Sequence, residues 1–267
     1  MASVSWRWIP PIATSGLTQM AIDDWMIDQV RSGHPPILRF YTWSEPTISL
    51  GFHQKQRPTV PDSIPLVRRP TGGRAVLHGS SGELTYAIAL GTARATPVQT
   101  ALAQTATEQA TAQTANPIRK RTNRADIYCD ICRFLIHGWS QLGVTLHFGG
   151  DRDYIQRTSC FSTATPADLV TDEGIKLIGS AQLYRGDTVL QHGSMQLAPD
   201  YGLFTQIFGE PCPRAVLPTL TGDDIISTLT EAARSSFGVT FEIRELDARE
   251  WKEIGARRDR FRVLASP

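Results

Sequence analysis

The side chains most able to do chemistry fall in three short runs. The first is Arg68-Arg69-Pro70-Thr71-Gly72-Gly73-Arg74-Ala75-Val76-Leu77-His78. Paired glycines let a backbone approach a ligand closely, and arginines beside them can bind an anion. Taken alone, the run reads equally as a plain hairpin. Ile175-Lys176-Leu177-Ile178-Gly179-Ser180-Ala181-Gln182 is the second run, and Leu190-Gln191-His192-Gly193-Ser194 is the third. The chain has four cysteines, too few for a disulfide scaffold, so they read as free thiols. Cys129-x-x-Cys132 matches half of a zinc or redox site. No second pair stands at a suitable spacing, and the pair falls on a helical pattern with Ile127 and Ile131, so core packing is expected. His53, His137 and His147 are scattered and read as structural or exposed. Neither a carboxylate pair nor a nucleotide P-loop motif is present.

These runs need elements to position them. Leu17, Met20, Ala21, Ile27 and Val30 recur at helical spacing and predict a helix over 16–32, ended by Gly33 and Pro35-Pro36. Short apolar and β-branched runs predict strands at Ile37–Trp43, Thr47–Phe52, Leu66–Arg69, Ala75–His78 and Leu84–Leu90. Asp126–Leu142 reads as a helix and Val144–Phe148 as a strand. Closely spaced strands at Leu169–Val170, Ile175–Ile178, Ala181–Tyr184 and Thr188–His192 suggest antiparallel hairpins, with turns at Asp172-Glu173-Gly174 and Arg185-Gly186-Asp187. A helix near 222–236, a strand at 239–243 and a helix near 247–258 follow. Without a βαβ rhythm, this pattern predicts an α+β fold with mixed, largely antiparallel sheets and packed helices. Residues 91–117 are rich in Ala, Thr and Gln and read as a surface insertion.

A hydrophobic fraction of 41% can fill a core, and a net charge of +1 announces no nucleic-acid partner. The basic run Arg119-Lys120-Arg121 with Arg124 reads as a solvated loop. No signal-peptide pattern follows Met1, and no stretch approaches the ~20 apolar residues of a membrane span. The expectation is a cytoplasmic protein with no membrane and no nucleic-acid partner.

The three runs, in this order, closely resemble the lipoate branch of the biotin/lipoate ligase-like superfamily, whose pattern is Arg-Arg-x-Thr-Gly-Gly-x-x-Val-x-His, then Lys-x-x-Gly-Ser-Ala, then His-Gly. Gln19-Met20-Ala21-Ile22-Asp23 and Leu38-Arg39-Phe40-Tyr41-Thr42-Trp43 also look like that branch. The resemblance implies one catalytic domain over 1–267, with a core at about 15–245. It implies a substrate site built from Arg69, Thr71, Gly72, Gly73, Arg74, Ala75, Val76, Leu77, His78, Gly179, Ser180, Ala181, His192 and Gly193. Cys160-Phe161 stands 16 residues before Lys176. That placement is similar to the single-domain octanoyltransferases of the type found in Gram-positive bacteria, and it makes Cys160 the candidate nucleophile and Lys176 its cationic neighbour. The Gly79-Ser80-Ser81-Gly82 connection and the 91–117 insertion are longer than the family's usual loops.

The implied reaction moves octanoyl from acyl carrier protein to Cys160, and then to a lysine of the lipoyl domains of 2-oxoacid dehydrogenases or of the glycine-cleavage carrier protein. Neither step needs a cofactor, because the thioester is already activated and two easier steps replace one carrier-to-carrier encounter. A nearby ammonium favours the thiolate of a cysteine whose free pKa is about 8.5. Backbone N–H groups around Gly179-Ser180 are candidate oxyanion donors. His78 and His192 are expected to fix the loop and strand by hydrogen bonds. Burying the eight-carbon chain is worth roughly 5 kcal/mol at ~0.8 kcal/mol per methylene. The alternatives are an ATP-dependent lipoate–protein ligase using ATP and Mg, with Cys160 incidental; an amidotransferase between lipoyl-bearing proteins; and a silent carrier-binding module. A biotin ligase fits the Arg-Arg-x-Thr-Gly-Gly run less well.

Overall fold

The protein is described by a computed structural model over residues 4–92, 123–149 and 168–263. The element order is β1 (Val4–Thr14), α1 (Gly16–Arg31), β2 (Ile37–Trp43), β3 (Thr47–Leu50), β4 (Leu66–Arg68), β5 (Val76–His78), β6 (Glu83–Gly91), α2 (Arg124–Gln141), β7 (His147–Phe148), β8 (Asp168–Val170), β9 (Lys176–Arg185), β10 (Thr188–Gln196), α3 (Tyr201–Phe208), α4 (Gly222–Phe237), β11 (Val239–Ile243) and α5 (Ala248–Gly255), followed by a 3₁₀ turn at Arg258–Phe261. Eight strands form one sheet in the order β11-β1-β2-β6-β10-β9-β8-β7, and three form a second in the order β4-β3-β5. In the large sheet β1 runs parallel to β11 and β2, and the remaining pairings are antiparallel. The α+β, largely antiparallel expectation holds.

Each face of the large sheet has its own core, because successive strand residues point to opposite sides. Phe40, Tyr86 and Ile88 pack under α2 and α4, while Tyr41, Ala87 and Leu190 pack under α1. Gly138 lets α2 and α4 approach; a Cβ there would stand 2.6 Å from Leu229. Thr221 and Asp224 form a capping box that starts α4. The small sheet and α3 enclose a third cluster around Ile48, Leu50, Leu77 and Phe204.

Several expectations are corrected. β1 lies inside the sheet although Pro10-Pro11 argues against a strand; the register shifts between Ile9 and Ile12, so the prolines sit where the ladder is already broken. Trp6 and Ile9 of β1 are buried, and after β11 Leu246, Ile254 and Phe261 are buried against α1. A short α3 stands where no helix was expected. The strand expected at 144–148 shrinks to His147–Phe148. The two strands expected at 175–178 and 181–184 are one, because β10 pairs with β9 continuously through Gly179 and Ser180. Most of the 91–117 segment lies outside the described residues. Among the described residues no helix is long and apolar enough to cross a membrane.

Candidate active site

Arg68 and Arg69 of the first run hold the loop rather than face a ligand. Arg68 donates to the carbonyls of Gly51, Gln54 and Phe52 at 2.7, 2.9 and 3.2 Å. Arg69 donates to the carbonyl and hydroxyl of Ser49 at 2.9 and 3.1 Å, and to the carbonyls of Gly72 and Arg74 at 2.7 Å each. A guanidinium supplies five N–H donors in a fixed fork, and here that fork ties β3 to the loop between β4 and β5. Gly73 is required twice over. Its φ of +97° is in the left-handed region, and a Cβ would stand 2.6 Å from a guanidinium nitrogen of Arg69.

Two imidazoles brace the loop from below. His78 bonds Ser49 Oγ through Nε2 and Glu83 through Nδ1, both at 2.7 Å, and stacks on Trp43 with ring centroids 3.8 Å apart. The same Glu83 carboxylate accepts from Ser194, Thr85 and the Gly79 N–H. His192 bonds Thr71 Oγ1 through Nε2 at 2.6 Å and Asp23 through Nδ1 at 2.7 Å. Asp23 in turn takes Arg39 at 2.6 Å and the Tyr41 hydroxyl at 3.1 Å. Burial pushes the Asp23 carboxyl up, but Arg39 and His192 outweigh it and hold it below the ordinary carboxylate value. Burial, then the Asp23 charge, push the Tyr41 phenol well above its ordinary value. Both nitrogens of each ring are thus engaged.

Lys176 opens β9. Its Nζ stands 2.7 Å from Asp168 Oδ1 on β8, and the two side chains are only 12% and 6% exposed. The register of β8 on β9 shifts between Leu169 and Val170, which places Lys176 over Gly179. A Cβ on Gly179 would meet Lys176 Cε at 2.7 Å and Nζ at 3.0 Å. Gly179 is the space the ammonium occupies. Ser180 turns to the other face, where its hydroxyl bonds Tyr86 at 2.8 Å; Tyr86 accepts from Gln191, which also reaches Cys132 Sγ at 3.3 Å. Gly193 leaves room for Ser180 and Tyr86; a Cβ there would come within 2.7 Å of the Tyr86 ring.

These groups border a cavity of about 520 Å³ between the α1 face of the large sheet and the small sheet, a size usual for small-molecule sites. At its inner end are the buried Met20, Tyr41, Trp43, Ser49 and Thr85; at its outer end are the half-buried Lys176, Ala181 and Gln182 with the exposed Gly73 and Arg74. Burial therefore gives the cavity an axis, with a blind end where Met20, Tyr41 and Trp43 supply apolar surface beside the Ser49 and Thr85 hydroxyls, and a cationic mouth. Of the expected site residues, Arg69, Gly72, Gly73, Arg74, Ala75, Val76, His78, Lys176, Gly179, Ser180, Ala181, His192 and Gly193 all line it. Two do not. Leu77 points the other way, into the small sheet's cluster, because β5 alternates; Thr71 is buried behind His192. Cys160 lies outside the described residues. Cys132 packs in the core, its thiol pushed up to about 12 by burial, and Cys212 is pushed up to about 11 by the same cause.

Asp23, Glu83 and Asp168 are site residues that sequence reasoning missed. Asp23 stands in a quoted stretch, but its partners Arg39, Tyr41 and His192 lie on other elements; Glu83 falls between the 79–82 connection and the strand expected at 84–90, and it joins His78, Gly79 and Thr85 nearby to Ser194 on β10. Asp168 carries no local signal beyond opening an apolar pair, Leu169-Val170. Gly179 and Ser180, expected as oxyanion donors, lie in mid-strand, with Ser180 paired to Gly193 and Gly179 to both Ser194 and Asp168.

Residues 15–130 match the family model of the lipoyl protein ligase A/B catalytic domain. The protein named Octanoyltransferase LipM in Carboxydothermus hydrogenoformans is 36% identical over 204 residues, covering 73% of this chain and 66% of that one. Its namesake in Moorella thermoacetica is 31% identical over 248 residues, 88% of this chain and 74% of the relative. Among solved structures, protein Ta0514 of T. acidophilum with bound lipoic acid superposes with a TM-score of 0.74 at 17% identity, covering 96% and 95% of the two chains. A lipoate-protein ligase A bound with ATP gives 0.71 at 16% identity over 96% and 94%. At such identities these two share the fold. The sequence kinship with the named relatives goes further, and by it the chain belongs to the octanoyltransferase LipM family of lipoyl protein ligase A/B catalytic domains.

Proposed function

We propose that the protein is an octanoyltransferase of protein lipoylation. The observation that carries this reading is the kinship with proteins named Octanoyltransferase LipM, at 31% identity over 88% of the chain in one case. In this reading the octanoyl tail occupies the blind end of the cavity, and the thioester carbonyl lies near Lys176 at the mouth. The Cys160 thiolate forms a bond to the carbonyl carbon, and the carrier's sulfur leaves as a thiol after taking a proton. The amine of an acceptor lysine on a lipoyl domain then attacks the acyl-cysteine, an amide forms, and Cys160 is released. The donor is octanoyl-acyl carrier protein, and the reaction runs in the cytoplasm without ATP.

Lys176 acts in this scheme as a fixed positive group beside the sulfur. Its partner Asp168 orients the ammonium and makes the local field that of an ion pair rather than a lone charge, so the thiolate is favoured mainly on the side the ammonium faces. The network of His78, His192, Asp23 and Glu83 holds the walls in place; preorganised walls are what make a bound thioester a near-attack complex.

The test is turnover. Octanoyl-acyl carrier protein and an apo lipoyl domain are incubated with the enzyme and no nucleotide, and the domain's mass is followed. Octanoylation of the acceptor lysine is the expected result. Modification that requires ATP and free octanoate replaces this reading with the ligase.

A further inference from the structure

The mouth of the cavity carries two cations whose situations differ. Lys176 is held by Asp168 at 2.7 Å. Arg69, just inside, is bound to Ser49, Gly72 and Arg74 carbonyls. Its neighbour Arg68 is bound to the carbonyls of the 51–54 loop. Arg74 lines the same cavity, is exposed, and its guanidinium has no partner among the described residues. Its backbone carbonyl accepts from Arg69 at 2.7 Å, which ties this point of the backbone to the loop. On the neighbouring loop, the Phe52 N–H bonds the Thr71 carbonyl at 2.8 Å, and Phe52 is 56% exposed. The rim therefore presents a guanidinium and an aromatic surface just beyond the point where an acyl group in the cavity would end.

We infer that Arg74 is the anchor for an anionic group, a phosphate ester, on the thioester donor's arm outside the cavity. This deepens the octanoyltransferase reading and rests on it. An acyl tail in the blind end fixes the thioester near Lys176, so the leaving thiol's arm exits past Gly73 and Arg74. A guanidinium binds phosphate through two parallel N–H bonds; Arg69 has all three nitrogens donating to Ser49, Gly72 and Arg74, and Arg68 is turned by its Nη1 onto the carbonyls of the 51–54 loop. Phe52 offers an apolar face to the uncharged part of the arm. The alternative anion, a carboxylate beside the acceptor lysine, would act in the second half-reaction and is separated from this one by the test.

The experiment measures acylation of the full-length enzyme by intact mass, with octanoyl-4′-phosphopantetheine and octanoyl-pantetheine as donors that differ only in the phosphate. The wild type is expected to react with the phosphorylated donor about 10- to 100-fold more efficiently, the range of a charge-assisted hydrogen-bonded contact. The ratio shrinks as salt rises. In Arg74→Gln the ratio falls toward one, and Arg74→Lys restores part of it. Because the Arg74 contact that holds the loop is made by its backbone, these variants keep the fold, which thermal unfolding verifies. A wild-type ratio near one, or a ratio that survives in Arg74→Gln, overturns the inference. So does a loss confined to transfer onto the acceptor, which would assign Arg74 to that partner. Failure of both donors to acylate the wild type overturns the anchor, and failure of octanoyl-acyl carrier protein as well sinks the transferase reading itself.

Discussion

Gly179→Ala separates the fold from the site. The backbone there is ordinary extended strand, so alanine introduces no conformational strain. What the new methyl meets is the far end of the Lys176 side chain, at 2.7 Å from Cε and 3.0 Å from Nζ. A flexible lysine can swing away, so the sheet is kept; what is lost is the 2.7 Å ion pair with Asp168. A hydrogen bond to a charged group contributes about 1.5–3 kcal/mol, and the displaced ammonium recovers part of this in water, so the stability loss is expected at the lower end, about 1–2 kcal/mol. Catalysis suffers more. A misplacement of ~1 Å can cost on the order of 10²-fold in rate, equivalent to about 2.7 kcal/mol of barrier at 1.36 kcal/mol per tenfold. Urea unfolding gives the first number and single-turnover acylation the second. A double-mutant cycle with Asp168→Asn sharpens the reading: if both substitutions act through the one pair, their effects fall short of additive. Wild-type acylation by Gly179→Ala would refute the claim that the ammonium's position over Gly179 matters to the chemistry.

Gly193→Ala should behave oppositely, because its methyl would meet the Tyr86 ring and the Ser180 hydroxyl, neither free to swing; a loss of about 1–3 kcal/mol by chemical denaturation is expected, and an unchanged midpoint would contradict the packing. Asp23→Asn leaves the Arg39 guanidinium buried without its counter-charge and should cost about 3–5 kcal/mol near neutral pH. The folded Asp23 carboxyl lies below its ordinary 3.8, so its stabilisation is complete above that value and is lost as pH falls through the lowered one; the gap between wild type and Asp23→Asn should close in acid, and a gap independent of pH refutes the ion pair. Cys132, pushed up to about 12 by burial, should resist iodoacetamide at pH 8 in the folded protein and react in urea, as peptide mapping would show.

Much of the fold was legible because periodicity reports burial directly. The helix at 16–32 and the strand at 37–43 carry their apolar spacing and their Gly and Pro stops in the sequence, and they formed within a residue of expectation. β1 was illegible because Pro10-Pro11 masks a strand that accommodates them at a register shift. The two strands expected on either side of Gly179-Ser180 are one, and Gly179 leaves space there for Lys176. The site's walls were legible as a family pattern, but not the direction in which side chains act. Arg69 has the residue type of an anion binder, and only the fold reveals four carbonyl and hydroxyl contacts already occupying it. Asp168 was invisible for the same reason: it meets Lys176 across neighbouring strands, a relation fixed by register and not by spacing.

The central proposal is that acyl transfer runs through Cys160, with Lys176 as its cationic partner. The most direct measurement is the intact mass of the enzyme within a single turnover, with octanoyl-acyl carrier protein as donor and no acceptor present. One octanoyl group should be gained, mapped to Cys160, sensitive to neutral hydroxylamine, and absent in Cys160→Ala. An octanoyl adduct that persists in Cys160→Ala, or acceptor labelling at full rate by that variant, would contradict the account.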